Sequence, residues 1–288
     1  MHDNGPMTTI LFTDTHQFAD WLATKRDSTI VGFVPTMGAL HEGHGSLFEL
    51  ARSQCDLVIA SIYVNNLQFN SSSDFDRYPR TLDEDVAMCQ SRSVDAVWAP
   101  SQLDLFPDGQ QLLTTGENAL EYEGRDRPGH FVGVATVVDR LLSIVAPDRM
   151  YLGAKDHQQI SVITSMCGQL HQYVNIVRCP TIREHDGLAI SSRNRFLTQH
   201  GRSQAPIISL ALQHMIDTWR AGETEPTTLI AQATSELQNI NGATVHYIAV
   251  LDGHEMQLTM SVKQGDTAII AVSIDNVRLI DNMQFVNV

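Results

Sequence analysis

Positive charge is scarce in this chain. Of its 288 residues, 19 are Lys or Arg against 33 Asp or Glu, and the formal charge is -14. The only lysines are Lys25, Lys155 and Lys263. Such a field has no general attraction for nucleic acid or anionic lipid. A phosphate-rich ligand must therefore be held by a few local donors, and a lysine inside a motif becomes informative. Long apolar runs are also missing: none reaches the roughly 18 residues that suggest a membrane-spanning helix. The first residues, Met1 to Met7, are polar where a secretory leader would have an apolar core. Cysteine is sparse. Cys55, Cys89, Cys167 and Cys179 form no Cys-x-x-Cys pair and have no ligand-like spacing to histidine. These absences predict four reduced thiols in a cytoplasmic protein. There is no internal repeat and no long low-complexity tract.

What is present is globular: 43% of the residues are apolar and 18% charged. Short β-branched runs at residues 29–34, 57–64, 96–98 and 175–179 alternate with amphipathic stretches at 46–53, 81–91, 134–145 and 158–170. Apolar strands separated by helices predict a parallel sheet covered on both faces, with a ligand crevice beyond the carboxyl ends of its strands. Ser71-Ser72-Ser73 reads as a short, mobile polar loop. After about Asp186 the texture changes to two helical stretches, 203–219 and 227–237, and then three strand-like runs, 245–251, 267–274 and 277–280. The expected organisation is a Rossmann-like α/β domain over residues 1–185 and a smaller α+β domain over 186–288.

Three blocks carry chemistry. In Val34-Pro35-Thr36-Met37-Gly38-Ala39-Leu40-His41-Glu42-Gly43-His44, an apolar strand runs into a helix start, where free N–H groups and the helix dipole favour phosphate. Gly38 and Gly43 allow close backbone approach. His41 and His44, three residues apart, could face one way and donate to charge that grows in a transition state. The same pair could be ordinary capping residues or half of a metal site, although no Cys or carboxylate cluster nearby supplies further zinc ligands. Leu152-Gly153-Ala154-Lys155-Asp156-His157-Gln158-Gln159 is again placed where an apolar run meets a helix. Lys155 can pair with phosphate, Asp156 can cap or help hold a metal-bound nucleotide, and the glutamines suit a hydroxylated acid. A capped helix with a solvated lysine is the plainer alternative. Ile190-Ser191-Ser192-Arg193-Asn194 offers two hydroxyls and a guanidinium as a phosphate clamp, or simply a loop.

Taken in order, these blocks resemble the pantothenate synthetase (pantoate–β-alanine ligase) family. That family belongs to the nucleotidyltransferase superfamily, which also includes the class I aminoacyl-tRNA synthetases. The likeness extends through Gln68-Phe69, the Asp74 to Leu82 run, Arg127-Pro128-Gly129-His130-Phe131, Gly133 to Val138, Asp186 to Asn194 and Arg278-Leu279-Ile280-Asp281-Asn282. The resemblance implies ATP-dependent joining of (R)-pantoate to β-alanine through pantoyl adenylate, releasing pyrophosphate and AMP, on the pathway to coenzyme A. It implies an ATP site of Met37, Gly38, Ala39, Leu40, His41, Glu42, Gly43 and His44, with Gly153, Ala154, Lys155, Asp156, Ile182, Ile190, Ser191, Ser192 and Arg193. His44, His41, Lys155 and Arg193 would be catalytic, and Gln68 and Gln159 would bind pantoate. Arg127 and His130 match positions near the active site. Mg²⁺ is implied by the polyphosphate, with Asp83, Asp85 and Asp156 as candidate ligands and no choice among them. A homodimer and a lid role for the smaller domain are also implied.

The chain departs from the family pattern at three places. Asn65-Asn66-Leu67-Gln68-Phe69 lacks a proline that would stiffen the Gln68 loop, Ala154 stands where an acidic residue is common, and Gly45 where a larger one is common. The runner-up function is a nucleotidyltransferase that passes AMP to a phosphorylated acceptor, which would want extra cationic groups in the acid pocket. A non-catalytic nucleotide-binding module is the third reading, disfavoured because binding alone does not need His41, His44, Lys155 and Arg193 together.

Overall fold

The computed structural model describes residues 8–253 and 256–287. The polar N-terminal heptad, Met1 to Met7, lies outside that range. The chain divides into two compact units, one running to Gly153 and including Val162–Cys179, the other comprising Ala154–Ser161 and the chain from Pro180 onward.

In the first unit β1 (Ile10–Phe12), α1 (Thr15–Ala23), β2 (Val31–Thr36), α2 (Glu42–Gln54), β3 (Leu57–Ile62), α3 (Ser72–Arg77), α4 (Leu82–Ser91) and β4 (Ala96–Trp98) follow in order. Then come α5 (Gln102–Leu105), α6 (Glu123–Asp126), α7 (His130–Val145), β5 (Arg149–Gly153), the part of α8 (His157–Leu170) from Val162 onward, and β6 (Asn175–Cys179). The six strands make one sheet in the order β1-β4-β3-β2-β5-β6, and every pairing is parallel. From β2 the chain builds outward to β3 and β4; from β5 it builds the other way to β6. The order therefore reverses between β2 and β5, where a doubly wound sheet opens its ligand crevice. Strands β2 and β5 end at Thr36 and Gly153, just before two of the phosphate-type motifs.

Val34, Val58, Ala60, Val97 and Tyr151 pack one sheet face against Leu47, Phe48 and Ala51 of α2. Helix α7 is buried almost all round, from Phe131 to Val145, as befits a helix between other layers. The expected parallel sheet is present, with two strands beyond those read from the sequence, β1 and β5. The Ser71–Ser73 stretch is not a loop throughout: Ser71 is the N-cap of α3. Serine favours that position because it competes for backbone groups in a helix interior.

The second unit holds α9 (Gln199–Gln204), α10 (Ile207–Arg220), α11 (Pro226–Gln238) and an antiparallel sheet β7-β8-β9 of Thr244–Leu251, Thr267–Ile274 and Val277–Gln284. Ala268, Ile270, Val272 and Ile274 alternate along β8 and meet Ile208, Leu212, Met215, Leu229 and Leu237 of the two long helices. Period-2 and period-3.6 stripes thus face one another across one core. Among the described residues no helix is long and apolar enough to cross a membrane. All four cysteines are free and buried.

Candidate active site

The turn after β2 is conformationally demanding. Gly38 (φ 76°) and Ala39 (φ 50°) are both left-handed, a state a residue with a Cβ adopts only when its surroundings hold it there. Asp85 of α4 does the holding: its carboxylate accepts from the N–H groups of Ala39 (3.0 Å) and Leu40 (2.8 Å) and from the Thr81 hydroxyl (3.3 Å). A Cβ on Gly38 would fall 2.8 Å from that carboxylate, so glycine is needed there twice over.

His41 is the N-cap of α2. The rings of His41 and His44 lie with centroids 4.1 Å apart, and a Cβ on Gly43 would stand 2.9 Å from the His41 ring. The His41 backbone N–H donates to Nδ1 of His44 (3.2 Å). An amide N–H can only donate, so the neutral His44 ring carries its proton on Nε2. The His44 ring at this helix start is therefore set as an Nε2 donor, a kind of group suited to an anion. Glu42, between the histidines, is turned to Arg92 at 2.6 Å, and Arg92 also pairs with Glu49. The same guanidinium lies against Gly45, 3.2 Å from where a Cβ would be. Arg92 thus takes the space a larger residue would need at that position. Met37 and Leu40 are half-buried.

Gln68 ends a 3₁₀ turn, Asn66–Gln68, after β3. Asn65 is buried there. Its Oδ1 accepts from Leu67 N–H (3.0 Å), and its Nδ2 donates to Gly133 O (3.1 Å) and to Gln68 Oε1 (2.9 Å). The first two partners have fixed roles, which sets the Asn65 amide and makes the Gln68 atom facing it the oxygen. Gln68 therefore turns its NH₂ donors the other way. The Gln68 carbonyl accepts from Arg127 Nη2 (3.1 Å) and His130 Nδ1 (2.9 Å). Arg127 Nη1 also faces His130 Nε2 at 3.2 Å. A guanidinium only donates, so Nε2 accepts and His130 is neutral with its proton on Nδ1. Without the proline, the loop is still pinned at both ends of Gln68. Arg127 and His130 serve here as its supports.

In the second unit, Ile190 N–H donates to Ile182 O (3.0 Å) across a hairpin that turns at Gly187 (φ 92°), bringing these two residues side by side. Ser191 then caps the 3₁₀ segment Ser192–Phe196 by accepting from Arg193 N–H. Arg193 Nη1 donates to Arg278 O (3.3 Å) on β9. Further along β9, Asp281 takes both arms of Arg183, at 2.6 and 3.0 Å. Burial pushes the Asp281 carboxyl up, and the Arg183 guanidinium opposes that. Asn282 donates to the carbonyls of Ala154 (2.9 Å) and Lys155 (2.8 Å). One strand edge thus carries both cationic motifs of this unit. Lys155 Nζ rests on Asp156 Oδ1 at 3.1 Å, and Gln159 is half-buried on the first turn of α8.

Among the described residues no group of three or more His, Cys, Asp or Glu could hold a metal ion. Asp85 has both oxygens committed to the Gly38–Leu40 turn, Asp156 accompanies Lys155, and Asp83 is exposed. Sequence pattern alone does not mark Asn65, Arg183, Asp281 or Asn282 as site residues, and it reaches Asp85 only as a candidate metal ligand.

The sequence model of the pantoate-beta-alanine ligase family matches residues 10–284. A pantothenate synthetase of Sulfurihydrogenibium sp. is 41% identical over 268 residues, 92% of this chain and 95% of that protein. Among solved structures, pantothenate synthetase from Thermus thermophilus is similar with a TM-score of 0.90 and 36% identity, over 97% of this chain and 100% of that one. Pantoate-beta-alanine ligase from Francisella tularensis, complexed with beta-gamma ATP and beta-alanine, gives a TM-score of 0.79 and 36% identity over 96% and 98% of the two chains.

Proposed function

Because the chain belongs to the pantoate-beta-alanine ligase family, we propose that it condenses (R)-pantoate with β-alanine at the expense of ATP, in two steps. A pantoate carboxylate oxygen attacks the α-phosphorus of ATP; the bond to the bridging oxygen breaks and pyrophosphate leaves. The β-alanine amine then attacks the acyl carbon, loses a proton, and releases AMP with the former carboxylate oxygen. No enzyme-bound covalent intermediate is needed, so the protein's work is positioning and charge neutralisation.

The observation that carries this reading is the fixed tautomer of His44, a donor at the start of α2 suited to charge on a departing pyrophosphate. His41 supports it from the N-cap, and the backbone from Met37 to Gly43 lines the nucleotide. Lys155 and Arg193 neutralise phosphate oxygens, with Gly153, Ala154, Asp156, Ile182, Ile190, Ser191 and Ser192 as further nucleotide contacts. Gln68 directs its NH₂ to pantoate, and Gln159 completes the recognition of that acid. Mg²⁺ enters as part of the MgATP substrate, held mainly by phosphate oxygens and water. Transfer of AMP to a phosphorylated acceptor is disfavoured by the Gln68 surroundings: the Arg127 guanidinium there is already engaged with Gln68 O, His130 and Glu123. Free buried thiols agree with a cytoplasmic location. The family also supports a homodimer, which light scattering would test.

Product analysis decides the matter. With ATP and Mg²⁺, pantothenate and AMP should form only when pantoate and β-alanine are both present, and pyrophosphate should form with pantoate alone. ATP cleavage that ignores both the acid and the amine would overturn the proposal.

A further inference from the structure

We propose that Asn282 is a positioning residue for the nucleotide phosphates, acting through the main chain of Ala154 and Lys155. The proposal rests on Lys155 serving the phosphates, as argued above. Its observation is separate: one side-chain amide, 6% exposed, spends both N–H bonds on two successive carbonyls, Ala154 O at 2.9 Å and Lys155 O at 2.8 Å.

Two carbonyls turned to the same donor fix two peptide planes. In a trans peptide the N–H points opposite to the C=O, so the N–H groups of Lys155 and Asp156 are turned away from Asn282. Successive N–H groups directed to one side favour negative charge, and these immediately precede α8, a helix of 14 residues. Lys155 leaves the same stretch of chain, so the amide that sets these planes also sets the base of the lysine side chain. Asn282 is itself held. Its backbone N–H donates to Asp281 Oδ1 (2.8 Å) and its carbonyl accepts from Arg183 Nη2 (3.3 Å). Arg183 and Asp281 brace the strand, Asn282 reads out that brace, and the Lys155 backbone receives it. A purely structural tie between β9 and this segment would not need an amide at this spot with both its protons on the motif that carries Lys155.

The test is a double-mutant cycle of Asn282→Ala and Lys155→Ala in the full chain, read as kcat/KM for MgATP and as the rise in melting temperature that MgATP produces. Asn282→Asp is run beside it, because it keeps the shape and replaces the donating NH₂ with an oxygen facing two carbonyls. Asn282→Ala should lower kcat/KM for MgATP on the order of tenfold and shrink the nucleotide-induced melting shift. Asn282→Asp should lose more. The double variant should lose clearly less than the product of the two single losses, the mark of residues acting on one thing. Multiplicative losses, or wild-type nucleotide behaviour in Asn282→Ala, would overturn the positioning role while leaving the ATP reading intact. So would failure of both Asn282 variants to melt cooperatively, which would make the residue structural. A Lys155→Ala variant with unchanged nucleotide kinetics would instead overturn the phosphate role of Lys155, and the positioning role with it.

Discussion

Gly133 lies against the main chain of Leu67: a Cβ on Gly133 would come within 2.6 Å of the Leu67 carbonyl carbon and oxygen. Gly133 O also accepts from Asn65, the residue that orients the Gln68 amide. Helix α7 therefore gauges the height of the Gln68 loop directly. This close approach stands in for the rigidity that a proline in the loop would have given.

Gly133→Ala should consequently push the loop off α7. Overpacking of this kind costs about 1–3 kcal/mol, read as a lower melting temperature. The kinetic effect should fall on pantoate, with a raised KM for the acid and little change in KM for MgATP. Equal effects on both substrates would separate Gln68 from the acid pocket.

His44→Ala should leave the fold intact and lower the melting temperature modestly through loss of the bond to His41 N–H, a cap worth about 0.5–2 kcal/mol. It should slow pyrophosphate formation on the order of a hundredfold, the usual cost of about 3 kcal/mol for one lost transition-state donor. Near wild-type adenylation would remove the His44 Nε2–H from the mechanism.

Much of this was legible in the sequence, and the rest was hidden for a physical reason. Apolar periodicity located β2, β3, β4, β6 and most helices, because burial dictates it. Strand β5 escaped, since Arg149-Met150-Tyr151-Leu152-Gly153 has little β-branching and is a strand because β2 and β6 pair with it on both sides. The phosphate-type motifs stood out because glycine and histidine cluster locally. Their supports did not. Asp85 acts on Ala39 from 46 positions away, Asn65 on Gly133 from 68, and Asn282 on Ala154 from 128. A single polar residue acting at such a range looks like any other until the fold brings its partner to it. The run Arg278-Leu279-Ile280-Asp281-Asn282 was visible as a family likeness, but its use as a brace was not.

Arg183→Ala should destabilise the protein by about 3 kcal/mol or more, because it strands the buried Asp281 charge. Burial already pushes this carboxyl up, and loss of the guanidinium pushes it further. Denaturant unfolding of wild type and variant measures the difference. A change below about 1 kcal/mol, the range of exposed pairs, would mean that the pair is not a brace.

The buried thiols make a pH prediction. Burial pushes Cys89 up to about 12 and Cys167 and Cys179 up to about 11. At pH 8 none should react with iodoacetamide in the folded protein, and all should react after unfolding. The unfolded thiols ionise near 9.0, before the folded ones. The unfolded state therefore gains on the folded state as pH rises, and the associated stability is lost from about pH 9 to about pH 12. Rapid alkylation of native protein at pH 8, or a melting temperature that rises above pH 9, would contradict this.

The most direct test of the adenylation step follows oxygen. Pantoate labelled with ¹⁸O in its carboxylate should transfer one labelled oxygen to AMP and none to pyrophosphate during turnover with β-alanine and MgATP, because the carboxylate oxygen that attacks the α-phosphorus leaves with it. Label retained entirely in pantothenate and solvent, or found in a phosphate other than that of AMP, would contradict the account.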